Sequence, residues 1–205
     1  MTVVPPDKLD ELSQSLLWPM NLLATYCRRD IPPLTPLFQQ QIPEPYRTLL
    51  VHQRNMTPTL EDYHGDHIHI ERLNMLADRK ERSREVILKL DTNEQAVEYG
   101  ASRIFINTLP RQAVTLIKEG KIPLGTILNM YHCDHRVELC GFFKIPSTPF
   151  FQQVFPGLNG TSLYGRRNAL VAPNGTTLAE VCEVLPPVPH PQHLGVDAET
   201  NTQGV

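Results

Sequence analysis

Two short stretches hold most of the residues that could do chemistry. HGDHIHIE (residues 64–71) contains three histidines and two carboxylates, and YHCDHR (131–136) adds His132, Cys133, Asp134 and His135. Imidazole, thiolate and carboxylate are the usual ligands of zinc and its neighbours. In HIHIE, however, strand alternation puts His67, His69 and Glu71 on one face and Ile68 and Ile70 on the other, and the isoleucines are the pair that needs a core. Histidines at i and i+2 leave no third ligand fixed by spacing, and neither HExxH nor a Cys/His finger occurs. The second cluster falls where a helix gives way to a strand, a place that favours histidine electrostatically without any ligand. The expectation is a solvent-facing His strand and no metal.

A second set of chemically capable residues is dispersed. Arg84 in SREVIL, Arg103 in ASR and Arg167 in GRR carry planar guanidinium forks suited to a carboxylate. Arg103 also reads as an ordinary solvent-facing strand arginine. The glutamates that could act beside them lie in LYGRRNALVA-PNG-TTLAEVCEVL, where Asn174-Gly175 is a strong hairpin signal. A loop centred there makes facing residue numbers add to 349, so Arg166 faces Glu183, Arg167 faces Cys182 and Ala169 faces Glu180. Alternation then gives Glu183 a cross-strand ion-pair partner in Arg166. Glu180 falls among Arg167, Ala169, Val171, Leu178 and Cys182, where apolar neighbours are expected to raise a carboxylate's pKa.

The elements that must position these residues are legible from pattern. Leu9, Leu12 and Leu16 follow helical spacing, and Pro19 interrupts or ends that helix. A Pro-rich connector (31–45) leads to a short helix with Tyr46, Leu49 and Leu50, which runs to about Asn55. HIHIERLNML, SREVILKL and YGASRIFIN read as strands, with DTNEQ as the hairpin loop between the last two. Pro110 opens a helix with Ala113, Leu116 and Ile117 inward and Gly120 just past its end. A further short helix starts at PLGTILNM. A strand covers roughly Arg136 to Phe143, and residues 145–162 read as a long irregular loop that could cover a pocket, pack, or meet a partner.

Composition sets the outer bounds. The 205 residues, 40% hydrophobic and 20% charged, suit one ordinary globular domain. A net charge of −3 excludes a broadly basic nucleic-acid surface and leaves a focal arginine cluster as the way to hold an anion. The four cysteines form no CxxC pair, no signal peptide is visible and no apolar run reaches membrane-spanning length, so a cytoplasmic monomer is expected. The 19 prolines concentrate near the two ends of the chain.

RNMT (with Met56), SREVIL (Arg84), ASR (Arg103), IPLG (Leu124), LYGRRNAL (Arg167) and LAEV (Glu180) occur in the order, and at nearly the spacing, of the chorismate pyruvate-lyases, and over roughly residues 34–186 the chain resembles that family. The resemblance implies an α+β fold: a single antiparallel sheet of about six strands, helices on one side and helical flaps over an enclosed ligand, as also found in the ligand-sensing domains of GntR-type repressors. It implies a carbon–oxygen lyase that eliminates pyruvate from chorismate to give 4-hydroxybenzoate without a cofactor. Arg84 would clasp the ring carboxylate, helped by the backbone around Met56. Leu124 and Glu180 would lie near the ring hydroxyl, Glu180 moving the proton, with Arg103 and Arg167 as further cations. Residues 1–33 stand outside the resemblance as an N-terminal extension, and 187–205 as a disordered tail. The alternative is a sensor or carrier on the same fold that binds a small aromatic acid without turning it over. No helix-turn-helix reading domain is visible in the sequence.

Overall fold

The computed structural model describes residues 6–158 and 160–188, with side chains from residue 11 onward. Among these residues seven strands form one sheet in the order β1-β5-β6-β7-β4-β3-β2, antiparallel throughout. They are β1 (Thr35–Leu37), β2 (Ile68–Ala77), β3 (Arg82–Leu90), β4 (Ala96–Ile104), β5 (Arg136–Ile145), β6 (Leu163–Val171) and β7 (Thr177–Leu185). The helices are α1 (Pro6–Leu16), α2 (Met20–Tyr26), α3 (Tyr46–Leu50), α4 (Met56–His64), α5 (Arg111–Glu119), α6 (Leu124–Met130) and α7 (Pro149–Val154). The expected α+β class with a single antiparallel sheet is the observed one. The seventh strand, β1, is a three-residue edge from the Pro-rich connector, paired with Phe142–Lys144.

Both faces of the sheet are covered. On the first, α3 to α6 pack against Ile70, Val86, Leu88, Leu170 and their neighbours. On the second, Leu16, Leu17, Met20 and Leu23 of the N-terminal segment join Phe151, Val154 and Phe155 of the α7 segment over Ile87, Tyr99, Ala101, Cys182 and Val184. Helices therefore lie on two sides, where the resemblance implied one. The reason is visible in β3 and β4, buried at nearly every position on both faces. Strands that carry apolar side chains on both faces, as Val86, Ile87 and Leu88 do in β3, need cover above and below. The supposed irregular loop at 145–162 supplies part of that cover, because Thr148 caps α7 and Pro149 opens it.

The final hairpin has the anticipated register over most of its length: Arg166 pairs with Glu183, Arg167 with Cys182 and Ala169 with Glu180. Gly175 has φ +84°, and Gly175 N–H donates to the Ala172 carbonyl at 2.9 Å. Glycine reaches that backbone region without a Cβ clash, which is why the turn sits there. Residues 56–64 form α4, a helix not anticipated from the sequence pattern, which gives only a short helix ending near Asn55. Pro58 is tolerated there, in the first turn, where the missing N–H would be unpaired anyway. Gly65, at φ +64°, closes the helix. The tail expected from 187 lies, from residue 189, outside the described residues. No described helix is long and apolar enough to cross a membrane.

Candidate functional site

On the first face, α4 and α6 begin side by side above the middle of the sheet. Asn55, Met56 and Thr57 from one and Pro123, Leu124 and Gly125 from the other roof a cavity of about 80 Å³. That is several times the roughly 10–15 Å³ one water needs. Its floor is Val86, Leu88, Gly100, Ser102, Leu170 and Val181, and its charged members are Arg84, Glu98, Arg166 and Glu183. A Cβ on Gly125 would lie 2.8 Å from Asn55 Nδ2 and 3.2 Å from Asn55 Cβ, so glycine is what lets the two helix starts close. Gly100 plays a similar part in the floor, where a Cβ would stand 3.2 Å from Glu98 Oε1.

Arg84 is 2% exposed, yet its guanidinium is barely engaged. Nη2 makes one long contact of 3.4 Å to the Ile122 carbonyl, while Nε and Nη1 have no partner. Burial, with a smaller contribution from Arg72, lowers its pKa to about 10. A buried, incompletely paired cation is costly unless something else meets it. The N-terminus of α4 also borders the cavity: Asn55 makes no side-chain cap, and Met56 and Thr57 line it.

Arg166, by contrast, is saturated. It is fully buried, pairs with Glu183, and donates to the carbonyls of Leu50 (3.1 Å), His52 (3.0 Å) and Arg54 (3.3 Å). Asn168 Nδ2 donates to Glu183 at 2.8 Å. This network pins residues 50–54, and so the start of α4, to the sheet. Glu98, 3% exposed, has an unpartnered Oε2. Burial and the nearby Glu183 push its carboxyl well above the ordinary range, against a smaller opposing effect of Arg166.

The residues expected from sequence divide between the two faces. Arg84, Met56 and Leu124 line the cavity. Arg84 pairs with Ser102 and Glu180 with Arg103, adjacent positions on β4, so Arg84 and Glu180 point to opposite sides of the sheet. On that second face Glu180 is held by Trp18 Nε1 at 2.8 Å, Arg103 Nη1 at 3.3 Å and Arg167 Nη2 at 3.0 Å. Arg103 is further bound to Glu81 at 2.7 Å. Glu180, Arg103 and Arg167 therefore form a network that fastens the N-terminal segment to the sheet, away from the cavity. The apolar surroundings expected of Glu180 are replaced by two guanidinium groups and an indole. The hairpin pattern had set Glu183 aside as a structural pair, and it is Glu183 that borders the cavity. Glu98 went unread, although alternation from Ser102 through Gly100 places it on the same face.

His67 is on the surface, and His69 contacts Asp91 at 2.7 Å and Glu94 at 3.5 Å. His135 meets the Cys133 carbonyl at 2.8 Å and Asn55 Oδ1 at 3.3 Å. Among the described residues no three His, Cys, Asp or Glu side chains are grouped as a metal site.

No family model matches the chain, and no curated protein sequence does. Solved structures do. PhnF from Mycobacterium smegmatis shares 10% identity at TM-score 0.51, over 84% of this chain and 99% of that one. A GntR-family transcriptional regulator from Bacillus cereus shares 10% at TM-score 0.44, over 58% and 92%. The effector binding domain of the trehalose repressor TreR from Bacillus subtilis shares 12% at TM-score 0.35, over 57% and 89%. The likeness is one of fold, the fold implied by the resemblance to the chorismate pyruvate-lyases and GntR-type repressor domains. The lyase itself is withdrawn. Its chemistry required Glu180 beside Arg84, and the register of β3, β4 and β7 puts the two on opposite faces of the sheet.

Proposed function

We propose that the protein binds a small organic carboxylate in the cavity under α4 and α6 and holds it without chemical change, as a sensor or carrier. The observation that carries this is Arg84, almost fully buried at the cavity with two of its guanidinium nitrogens, Nε and Nη1, unpartnered. A carboxylate there gains charge-assisted hydrogen bonds from a fork-shaped donor already desolvated, with the α4 backbone N–H groups completing its coordination. The charge balance suits a monoanion: Arg166 is matched by Glu183, which leaves Arg84 as the unmatched cation among the described lining residues. The apolar floor suits a compact ring or short chain behind the carboxylate.

The test is thermal denaturation and calorimetric titration with benzoate as probe. Benzoate is expected to raise the melting temperature of the wild type and leave that of Arg84→Leu unchanged, while formation of pyruvate from chorismate is not expected from either protein. Equal stabilisation of both proteins, or none of the wild type at millimolar benzoate, sinks the reading.

A further inference from the structure

We propose that Glu98 is the specificity-determining residue at the other end of this cavity, selecting acids whose far end carries a neutral hydrogen-bonding oxygen rather than hydrocarbon or a second charge. The inference rests on the reading of the cavity as a carboxylate site. Arg84 is opposite Ser102, and Leu88 is next to Glu98 across the same strand pair. Ser102 and Glu98 are four residues apart on β4, about 13 Å along the strand and on one face. Between them the strand carries Gly100, the one position on that face of β4 with no side chain to fill the floor. An elongated slot results, with a cation at one end and a carboxyl at the other.

Glu98 is not explained by the fold. Among the described residues it makes no ion pair, its Oε2 is buried without a partner, and beside it on the floor lie Leu88, Gly100 and Val86. The adjacent Glu183 is taken up by Arg166 and Asn168, so it leaves no donor for Glu98. A buried carboxyl facing an apolar slot beside another carboxylate is driven toward its neutral form, in agreement with the direction of its shift. In that form it has an O–H to give and an oxygen to receive, which a hydroxyl or carbonyl on the ligand satisfies and a hydrocarbon end does not. A ligand lacking the oxygen leaves the group unpaired, and such sites discriminate strongly against the analogue without the polar atom.

The experiment compares benzoate, 4-hydroxybenzoate and 4-(aminomethyl)benzoate by calorimetric titration on wild type, Glu98→Gln and Glu98→Leu. The wild type is expected to bind 4-hydroxybenzoate at least about tenfold more tightly than benzoate. Glu98→Gln keeps most of that preference, while Glu98→Leu loses it and binds benzoate as well as the wild type or better. Glu98→Leu without ligand should also melt at a higher temperature, because an unpaired polar group has been removed. If benzoate binds through Arg84 but the preference survives in Glu98→Leu, the assignment of Glu98 is wrong and the carboxylate site stands. If the wild type binds none of the three acids, the carboxylate site fails and the assignment with it. Tightest binding of the aminomethyl compound would show an ionised Glu98 receiving a cation and overturn the proposal, as would a lowered melting temperature of ligand-free Glu98→Leu.

Discussion

At the residue scale the two ends of the cavity are groups held against their own solvation. For Arg84 the folded state binds the proton less tightly than the unfolded chain, so its charge costs stability at every pH below about 10, and the cost disappears only as pH rises past that value. Arg84→Met is therefore expected to raise the unfolding free energy of the ligand-free protein at neutral pH by about 1–3 kcal/mol, measured by urea denaturation. A destabilised variant would mean that Arg84 has a structural partner. Glu98 has the opposite linkage. Its pKa is raised above the ordinary 4.5, so the fold favours the protonated form. That contribution is fully present below about pH 4.5 and is lost as pH rises toward the folded value. Wild type should thus lose stability relative to Glu98→Gln as pH rises above about 4.5, and parallel pH dependences of the two proteins would contradict the assignment.

At the element scale the cavity depends on how two helix starts are held. Arg166 ties residues 50–54 to β7 through Glu183, and the pair is buried rather than surface-exposed. An exposed pair of this kind contributes less than about 1 kcal/mol. Removing one member of a buried pair strands the other, and Glu183→Gln or Arg166→Met is expected to cost about 3–5 kcal/mol. Denaturant titration checks this, and a loss below about 1 kcal/mol would show that water reaches the pair. The roof has its own constraint at Gly125, where an added methyl meets Asn55 at 2.8 Å. Gly125→Ala should force α4 and α6 apart, at a cost of about 1–3 kcal/mol, with weaker benzoate binding as the diagnostic second effect. Unchanged affinity would mean that the roof can shift without opening the site.

At the scale of the whole molecule the two faces of the sheet differ: the first holds the cavity with Arg84 and Glu98, and the second carries the N-terminal segment. The second face is locked polar as well as apolar: Glu85, 0% exposed, receives Arg29, Tyr99 and Asn74, and Arg29 stacks on Phe150 at 3.9 Å. The N-terminal segment is thus packed into the same core as the sheet. A chain starting at residue 34 should expose Tyr99, Phe143 and Val184 and leave Glu85 without Arg29, so it is expected to aggregate or unfold at 37 °C in a solubility and circular-dichroism assay. A soluble, cooperatively melting fragment that still binds benzoate would show the segment to be dispensable. A ligand specific to the native state should stabilise the full chain by about 2.7 kcal/mol at a hundredfold excess over its dissociation constant.

The sequence by itself determined what depends on neighbours along the chain. Alternation at HIHIE put the isoleucines inward and the histidines outward, Asn174-Gly175 set the hairpin, and the turn set the pairing of Arg166 with Glu183. These are local because strand period and turn geometry act over a few residues. Arg84 was readable as an arginine suited to a carboxylate, but not as a buried and unpaired one. Which glutamate meets the cavity was decided only by tertiary structure, since Glu180 and Glu183 lie on opposite faces of β7 and both faces are covered. The cover that turned Glu180 into a structural residue comes from Trp18, Arg103 and Arg167, and Trp18 stands 162 positions away. No local pattern encodes such a contact. It arises when the N-terminal segment folds across the sheet, and Arg84 and Glu98 are left on the other face, at the cavity.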